Sequence, residues 1–224
     1  MIITIDGPAG AGKSTVAQLL AARLDGMVLD TGAIYRCLAL QARQRGVSPA
    51  DIDGLVEMAS HLDVRFETIS GQVQPVVLLD GQPVGDAIRT PEVSQDASVL
   101  SAHAPVRAVL LDLQRRLGHS ADVVVAEGRD MGTVVFRNAG AKFFLVADPV
   151  ERARRRFDEL TARGRSVTIE DVLAEQQERD NRDSQRAVAP LQPAPDAVMV
   201  DSTALTPDQV VERMFEQVQR TMED

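Results

Sequence analysis

Residues 7–14 read Gly7-Pro8-Ala9-Gly10-Ala11-Gly12-Lys13-Ser14, a fit to the pattern G-x-x-x-x-G-K-[ST]. The flanks give the match its force. Met1-Ile2-Ile3-Thr4-Ile5 is apolar and β-branched, which predicts a buried strand. From Ser14 to Leu24, the positions Val16, Leu19, Leu20 and Leu24 fall on one helix face. Strand, glycine loop and helix start in this order make a phosphate cradle, because a helix amino terminus carries unpaired N–H groups and a partial positive charge. Gly7, Gly10 and Gly12 have no Cβ, so the loop can turn tightly and adopt positive φ. Lys13 adds a mobile charge for β- and γ-phosphates, and the Ser14 hydroxyl is placed to ligate Mg²⁺. An ordinary glycine-rich turn has the same letters but rarely lies between a strand and a helix.

Composition narrows the classes. The chain of 224 residues is 44% apolar and 25% charged, which allows a packed core. Its net charge of −9 argues against a general nucleic-acid or membrane-surface binder, since both need a positive face. Cys37 is the one cysteine and the three histidines (His61, His103, His119) are scattered, so neither a disulfide framework nor zinc spacing is present. The amino-terminal segment has no basic region followed by a long apolar span, so a cytoplasmic location is the default expectation.

Further short apolar runs follow at Met27-Val28-Leu29, 122–126, 142–147 and 197–200, separated by helical patterns. Helices are expected over Ala33 to Arg45, from Ser48 through Leu62, from Thr90-Pro91, over Pro105 to Leu117, from Glu151, and from Thr206-Pro207 to the end. Residues 63–84 differ in texture. Val64 to Ile69 alternates, Ser70-Gly71 turns, Val76 to Leu79 is apolar, and Asp80-Gly81 signals a hairpin. The expected fold is α/β: a three-layer P-loop domain, with a five-stranded parallel sheet between helices and a small antiparallel β insertion over about 63–84.

Ligands on such sheets bind beyond the carboxyl ends of the strands. Asp6, Asp30-Thr31, Glu127 to Asp130, Asp148 and Asp201-Ser202 should therefore share one edge with the loop. Asp148 and Asp201 are read as structural strand ends; Asp30 and Arg129-Asp130, where charge clusters with glycine, are read as a site.

The carboxyl half is rich in arginine. Arg152, Arg154, Arg155 and Arg156 open one helix and Arg163 and Arg165 close it. Solvated helix charge accounts for some of them. In an acidic protein, a basic segment after a core strand also suits a helical lid, over about 151–166, that stabilises the charge of phosphoryl transfer. Arg179, Arg182 and Arg186 recur on one helix face with Asp183 among them. An exposed ion-pair ladder and a phosphate clamp both fit that spacing.

Taken together, these blocks resemble the bacterial cytidylate kinase (CMP kinase) family along essentially the whole chain, here read as one domain over 1–224. The residues that carry the resemblance are Asp6 through Thr15, Leu29-Asp30-Thr31-Gly32-Ala33-Ile34-Tyr35-Arg36, Gly128-Arg129-Asp130-Met131-Gly132-Thr133-Val134-Val135-Phe136, and Glu178-Arg179-Asp180 through Arg182-Asp183 to Arg186-Ala187-Val188-Ala189-Pro190-Leu191. The glycine loop alone covers many unrelated enzymes; the other blocks in this order are specific. Thr31 stands where the family often has Ser, with the hydroxyl kept, and Arg137 where it usually has Pro.

The resemblance implies transfer of the γ-phosphoryl group of ATP to CMP or dCMP with Mg²⁺. It implies that Gly7, Pro8, Ala9, Gly10, Ala11, Gly12, Lys13, Ser14 and Thr15 hold ATP, with Ser14 on the metal. Thr31, Arg36, Ser98, Arg107, Arg129, Asp130, Asp183 and Arg186, with Asp30 beside them, would line the CMP site, and 63–84 would belong to the part closing over the monophosphate. Asp130 with Ser98 and Arg107 suits the cytosine edge, Arg36 and Arg129 the α-phosphate, and Asp183 the ribose. Lys13, Arg155, Arg156 and Arg163 are the candidates for stabilising the transferring group. Asp30 and Asp130 are both candidates for assisting Mg²⁺. The expected partners are small molecules, with no nucleic acid and no membrane, on a monomer. The competing readings are another small P-loop kinase with a UMP or AMP acceptor, and a nucleotide-binding switch without an acceptor pocket.

Overall fold

The first strand, β1 (Ile2–Asp6), has Ile3 and Ile5 fully buried and lies at the centre of the main sheet. The computed structural model describes residues 1–67 and 75–223. Around β1 are β2 (Met27–Asp30), β6 (Val124–Gly128), β7 (Ala141–Val146) and β8 (Val198–Asp201), in the order β2-β6-β1-β7-β8. Every pairing is parallel, so each strand leaves the sheet at the same edge.

Apolar residues on both sides of the strands explain why both faces are covered. Val124 and Ala126 enter the core under α2 (Thr31–Arg45), α3 (Ile52–Ser60), α4 (Pro91–Leu100) and α5 (Ala104–Gly118), with Ile34, Leu38, Leu55 and Leu110. Val125, Ile3 and Ile5 enter the opposite core under α1 (Lys13–Arg23) and α8 (Pro207–Glu223), with Val16, Leu20, Val210 and Met214. Each fully buried aliphatic or Phe side chain contributes about 1.5–3 kcal/mol, so the layers need no further fastening. Among the described residues, no helix is long and apolar enough to cross a membrane.

The expected three-layer α/β architecture is thus present. So is the small antiparallel sheet, formed by β3 (Val64–Glu67), β4 (Val76–Leu79) and β5 (Gln82–Pro83). Leu79 pairs with Gln82 across Asp80 and Gly81, whose φ values of 51° and 74° are those a two-residue hairpin needs. Val64, Val77 and Leu79 join the core on the α2 side. Thr68, Ile69 and the expected Ser70-Gly71 turn lie outside the described residues.

Three details depart from the sequence reading. The third helix begins at Ile52, because the Asp51 side chain caps it by accepting from Gly54 N–H; Ser48 lies before it. α7 (Ile169–Gln185) ends one residue before Arg186, whose extended backbone puts it off the helix face shared by Arg179 and Arg182. Residues Met131–Val135 form a π-helical turn that no local signal announces. α6 (Pro149–Ala162) packs on α7 through Ala153, Leu160 and Val172, a small core apart from the two main ones.

Candidate active site

Register brings the strand ends together. Asp30 lies opposite Glu127, Asp6 opposite Gly128 and Asp201 opposite Val146, along one edge. A cleft of roughly 910 Å³ opens above that edge. Asp148 caps α6 through Val150 and Glu151 N–H, and Asp201 accepts from Thr203, so both serve the backbone as expected.

The glycine loop crosses one side of the cleft. Gly7, Gly10 and Gly12 have φ of 148°, 75° and 91°, which side chains rarely adopt. Gly12 caps α1 without a side-chain acceptor, so the first amides of the helix, beside the cleft, have no partner within the helix and no capping side chain among the described residues. Lys13 is buried and its ammonium donates to the Pro8 carbonyl at 2.7 Å. Burial, then the nearby Arg129 charge, lowers it to about 7, while Glu127 holds it up. Ser14 lies beside Glu127, and burial together with the Asp30 charge raises Glu127 to about 7, with Lys13 and Ser14 acting against the rise. The hydroxyl of Ser14 with two carboxylates nearby is an all-oxygen donor set, which fits Mg²⁺ shared with substrate phosphates.

Across the cleft, Asp30 caps α2 by accepting from Ala33 N–H and pairs with Arg36 at 2.6 Å. Burial acts to raise its carboxyl, but the Arg36 and Arg89 charges prevail and hold it low. Thr31 donates its hydroxyl to the Glu127 carbonyl at 2.8 Å. Asp130 is buried between Arg107, which donates to it, and Arg186 at 3.5 Å. Arg107 lies over the Tyr35 ring, 5.5 Å from its centroid. Arg129 donates to Asp183 at 2.9 Å, and Asp183 is only 4% exposed. Burial tends to raise Asp183, but Arg129, Arg179 and Arg186 keep it low. An exposed ion-pair ladder on α7 is therefore not what these residues form; Arg182 turns instead to Ser98 and Glu178.

Lys13, Ser14, Thr15, Asp30, Thr31, Arg36, Arg107, Arg129, Asp130, Asp183 and Arg186 all line this cleft, with Ala9 to Gly12. So do Arg155, Arg156 and Arg163. Ser98 does not. Its hydroxyl is buried and accepts from Arg182 at 2.7 Å, while Ser94 and Ser101 of the same segment reach the cleft. Gly7 and Pro8 also stand behind the lining, since Gly7 packs directly on the Leu145 backbone. Arg155 is held by Ser202 and Thr203 carbonyls and by Glu151, whereas Arg156 and Arg163 pair with Glu159. Arg154, more than half exposed, bridges Glu151 and Asp158 as ordinary solvated helix charge.

Several lining groups are not singled out by the sequence, Arg89 and Gln176 among them. Arg179 is there only one member of a periodic trio, and the stretch Ser202 to Pro207 only a strand end and a helix start. Arg179 stands out chemically. Its Nε and that of Arg36 are buried without a hydrogen-bond partner among the described residues. Burial, then the Arg129 charge, brings Arg179 down to about 10, with Arg36 and Arg156 adding to the repulsion. Such a crowd of guanidiniums, only partly offset by Asp30 and Asp183, suits the entry of an anion.

Comparison with known proteins bears on the fold and the family. A solved structure of an uncharacterized protein from Eubacterium ventriosum, 13% identical, aligns over 98% of both chains with a TM-score of 0.51, a likeness of fold. A cytidylate kinase of Pseudomonas fluorescens is 49% identical over 97% of this chain and 94% of its own length. The cytidylate kinase of Stutzerimonas stutzeri is 48% identical with the same coverage. The cytidylate kinase family model matches residues 3–220, and the chain belongs to that family.

Proposed function

We propose that the protein transfers the γ-phosphoryl group of ATP to CMP or dCMP, with Mg²⁺, giving ADP and CDP or dCDP. The observation that carries this reading is the cationic crowd facing the loop. Arg129 lowers both Lys13 and Arg179, and Arg36 and Arg179 leave buried N–H groups unpartnered among the described residues. A switch protein needs only the loop; a second anion site beside it supports a two-substrate enzyme.

In this reading the amides at the start of α1 hold the donor phosphates, and Lys13 leaves the Pro8 carbonyl for the β- and γ-phosphates. Bound Mg²⁺, with Ser14 among its ligands, would supply charge neutralisation on those phosphates. Arg36, Arg129 and Arg179 grip the acceptor phosphate so that its oxygen points in line. Asp130, set by Arg107 and Arg186, accepts from the cytosine amino group, where the O4 acceptor of uracil would meet a carboxylate. Arg156 adds to the field at Arg179, which suits it to the transferring group. Arg155, anchored at Ser202 and Thr203, suits the base end of the donor. The α6–α7 pair would act as the lid and the β3–β5 sheet as part of the acceptor side.

No protein nucleophile is required. Cys37 is buried, which pushes its thiol up to about 12 and makes it inert. The test is ADP release measured with each monophosphate in turn. CMP and dCMP should be preferred over UMP and AMP. ADP production independent of any acceptor would overturn the kinase reading, and a preference for UMP or AMP would overturn the base assignment.

A further inference from the structure

The tip of the glycine loop is bonded to the helix that carries the acceptor-side charges. Ala9 donates its N–H to Asp180 Oδ1 at 3.2 Å, and its carbonyl accepts from Arg152 Nη1 at 2.7 Å. The same Arg152 nitrogen donates to Asp180 Oδ2 at 2.5 Å, closing a ring of three residues from three elements. Arg152 is nearly buried and is itself held twice. Its Nε donates to the Ala147 carbonyl at 3.2 Å, and Gln176 donates to its own carbonyl at 3.3 Å. The loop is also pressed against this strut, because a Cβ on Gly10 would stand 2.6 Å from Gln176 Nε2 and 3.2 Å from Arg152 Cβ.

What lies next to Asp180 on α7 gives the ring its meaning. Arg179 precedes it and faces the cleft, and Asp183, less than a turn on, holds Arg129. The Ala9 N–H is thus fixed directly, and its carbonyl through Arg152 of α6, to the short stretch of α7 that sets the acceptor cations. A helix turn is stiff, so the distance from donor loop to acceptor site passes through the Asp180–Arg152 pair. Neither Arg152 nor Asp180 lines the cleft, so neither is placed to hold a substrate directly.

We infer that Arg152 and Asp180 are positioning residues that fix the spacing between the donor loop and the acceptor site, setting the in-line geometry without touching either substrate. The inference rests on the two-substrate reading above. Misplacing reacting groups by about 1 Å costs on the order of 100-fold in rate. Binding, which tolerates such a shift, should suffer less.

The experiment measures kcat with ATP and CMP, together with calorimetric affinities for CMP and for a non-hydrolysable ATP analogue. Asp180→Asn keeps an acceptor for Ala9 but loses the charge that holds Arg152; Arg152→Lys keeps the charge but loses the fork. Each should lower kcat by about 10- to 100-fold with either affinity changed less than about threefold. The double variant should be no slower than the worse single, because both break one ring. If one variant does not fold, the other carries the same expectation. Unchanged kcat, a loss explained wholly by weaker binding, or multiplicative losses in the double variant would overturn the inference. Failure of the unaltered protein to phosphorylate CMP would instead sink the functional reading.

Discussion

Asp6 and Met131 are joined behind the lining of the cleft: Asp6 Oδ1 accepts the Met131 N–H at 2.8 Å, and Oδ2 accepts that of Gly132 at the same distance. One residue thus ends just before the donor loop and holds the turn that follows Asp130. Burial is the main reason its carboxyl is raised to about 6, although the two amides pull the other way. Between about pH 4 and 6 the folded chain keeps a proton on Asp6 that the unfolded chain has released. This group's contribution to stability is therefore complete below pH 4, falls as pH rises to 6, and is flat above. The shift from 3.8 to about 6 corresponds to roughly 3 kcal/mol. Asp6→Asn removes that dependence, so urea denaturation from pH 4 to 7 should find the variant gaining roughly 3 kcal/mol on the unaltered protein. Parallel stability curves for the two would refute the assignment.

Asp130 is predicted to read the acceptor base. Replacing it with Asn keeps an oxygen for Arg107, gives up the acceptor beside Arg186, and presents an amide that can serve the O4 of uracil. The ratio of kcat/KM for CMP over UMP should fall about 10- to 100-fold, the range of one mismatched buried polar group. KM for ATP should stay within about threefold. Equal losses toward both monophosphates would deny Asp130 this role.

Lys13 is predicted to be costly to the fold and necessary to the reaction. It is 6% exposed, and burial and Arg129 both disfavour its charge. Lys13→Met keeps the apolar stem and removes the ammonium, so thermal unfolding should be unchanged or shifted upward. kcat/KM should fall by about 100- to 1000-fold, the usual loss for one transition-state charge contact. A variant both less stable and fully active would contradict the placement of Lys13.

How much of this is legible in the sequence depends on how far each interaction reaches. The strands, the Asp80-Gly81 hairpin and the donor loop are written in neighbouring residues and can be read directly. Asp30, Arg36, Arg129 and Asp130 can be found because they sit at or just past strand ends, and parallel strands end together. The Asp6 contact spans 125 residues and the Asp180 contact 171, and nothing local to Asp6 or Asp180 marks it as an acceptor for a distant amide. Helix periodicity puts Arg179, Arg182 and Arg186 in one group. The fold separates them: Arg179 faces the anion site, Arg182 bonds Ser98, and Arg186 lies past the helix end beside Asp130. Spacing gives a face but not its neighbour, and Ser98, expected in the cleft, is taken up by Arg182.

Two glycines with positive φ separate conformational cost from steric cost. Gly46 ends α2 at φ 70° with no atom of the described residues within 4 Å of where a Cβ would lie. Gly46→Ala should therefore cost only the left-handed backbone, about 1–2 kcal/mol. Gly7 has φ 148°, and its Cβ would stand 2.1 Å from the Leu145 carbonyl oxygen, a backbone atom in a central strand that cannot move aside. Gly7→Ala should cost at least about 3 kcal/mol and displace the loop from Asp6 onward. Chemical denaturation of the two variants side by side, with ATP-analogue binding as the second reading, checks the contrast. Similar losses of stability in both would mean that β7 does not fix the start of the donor loop.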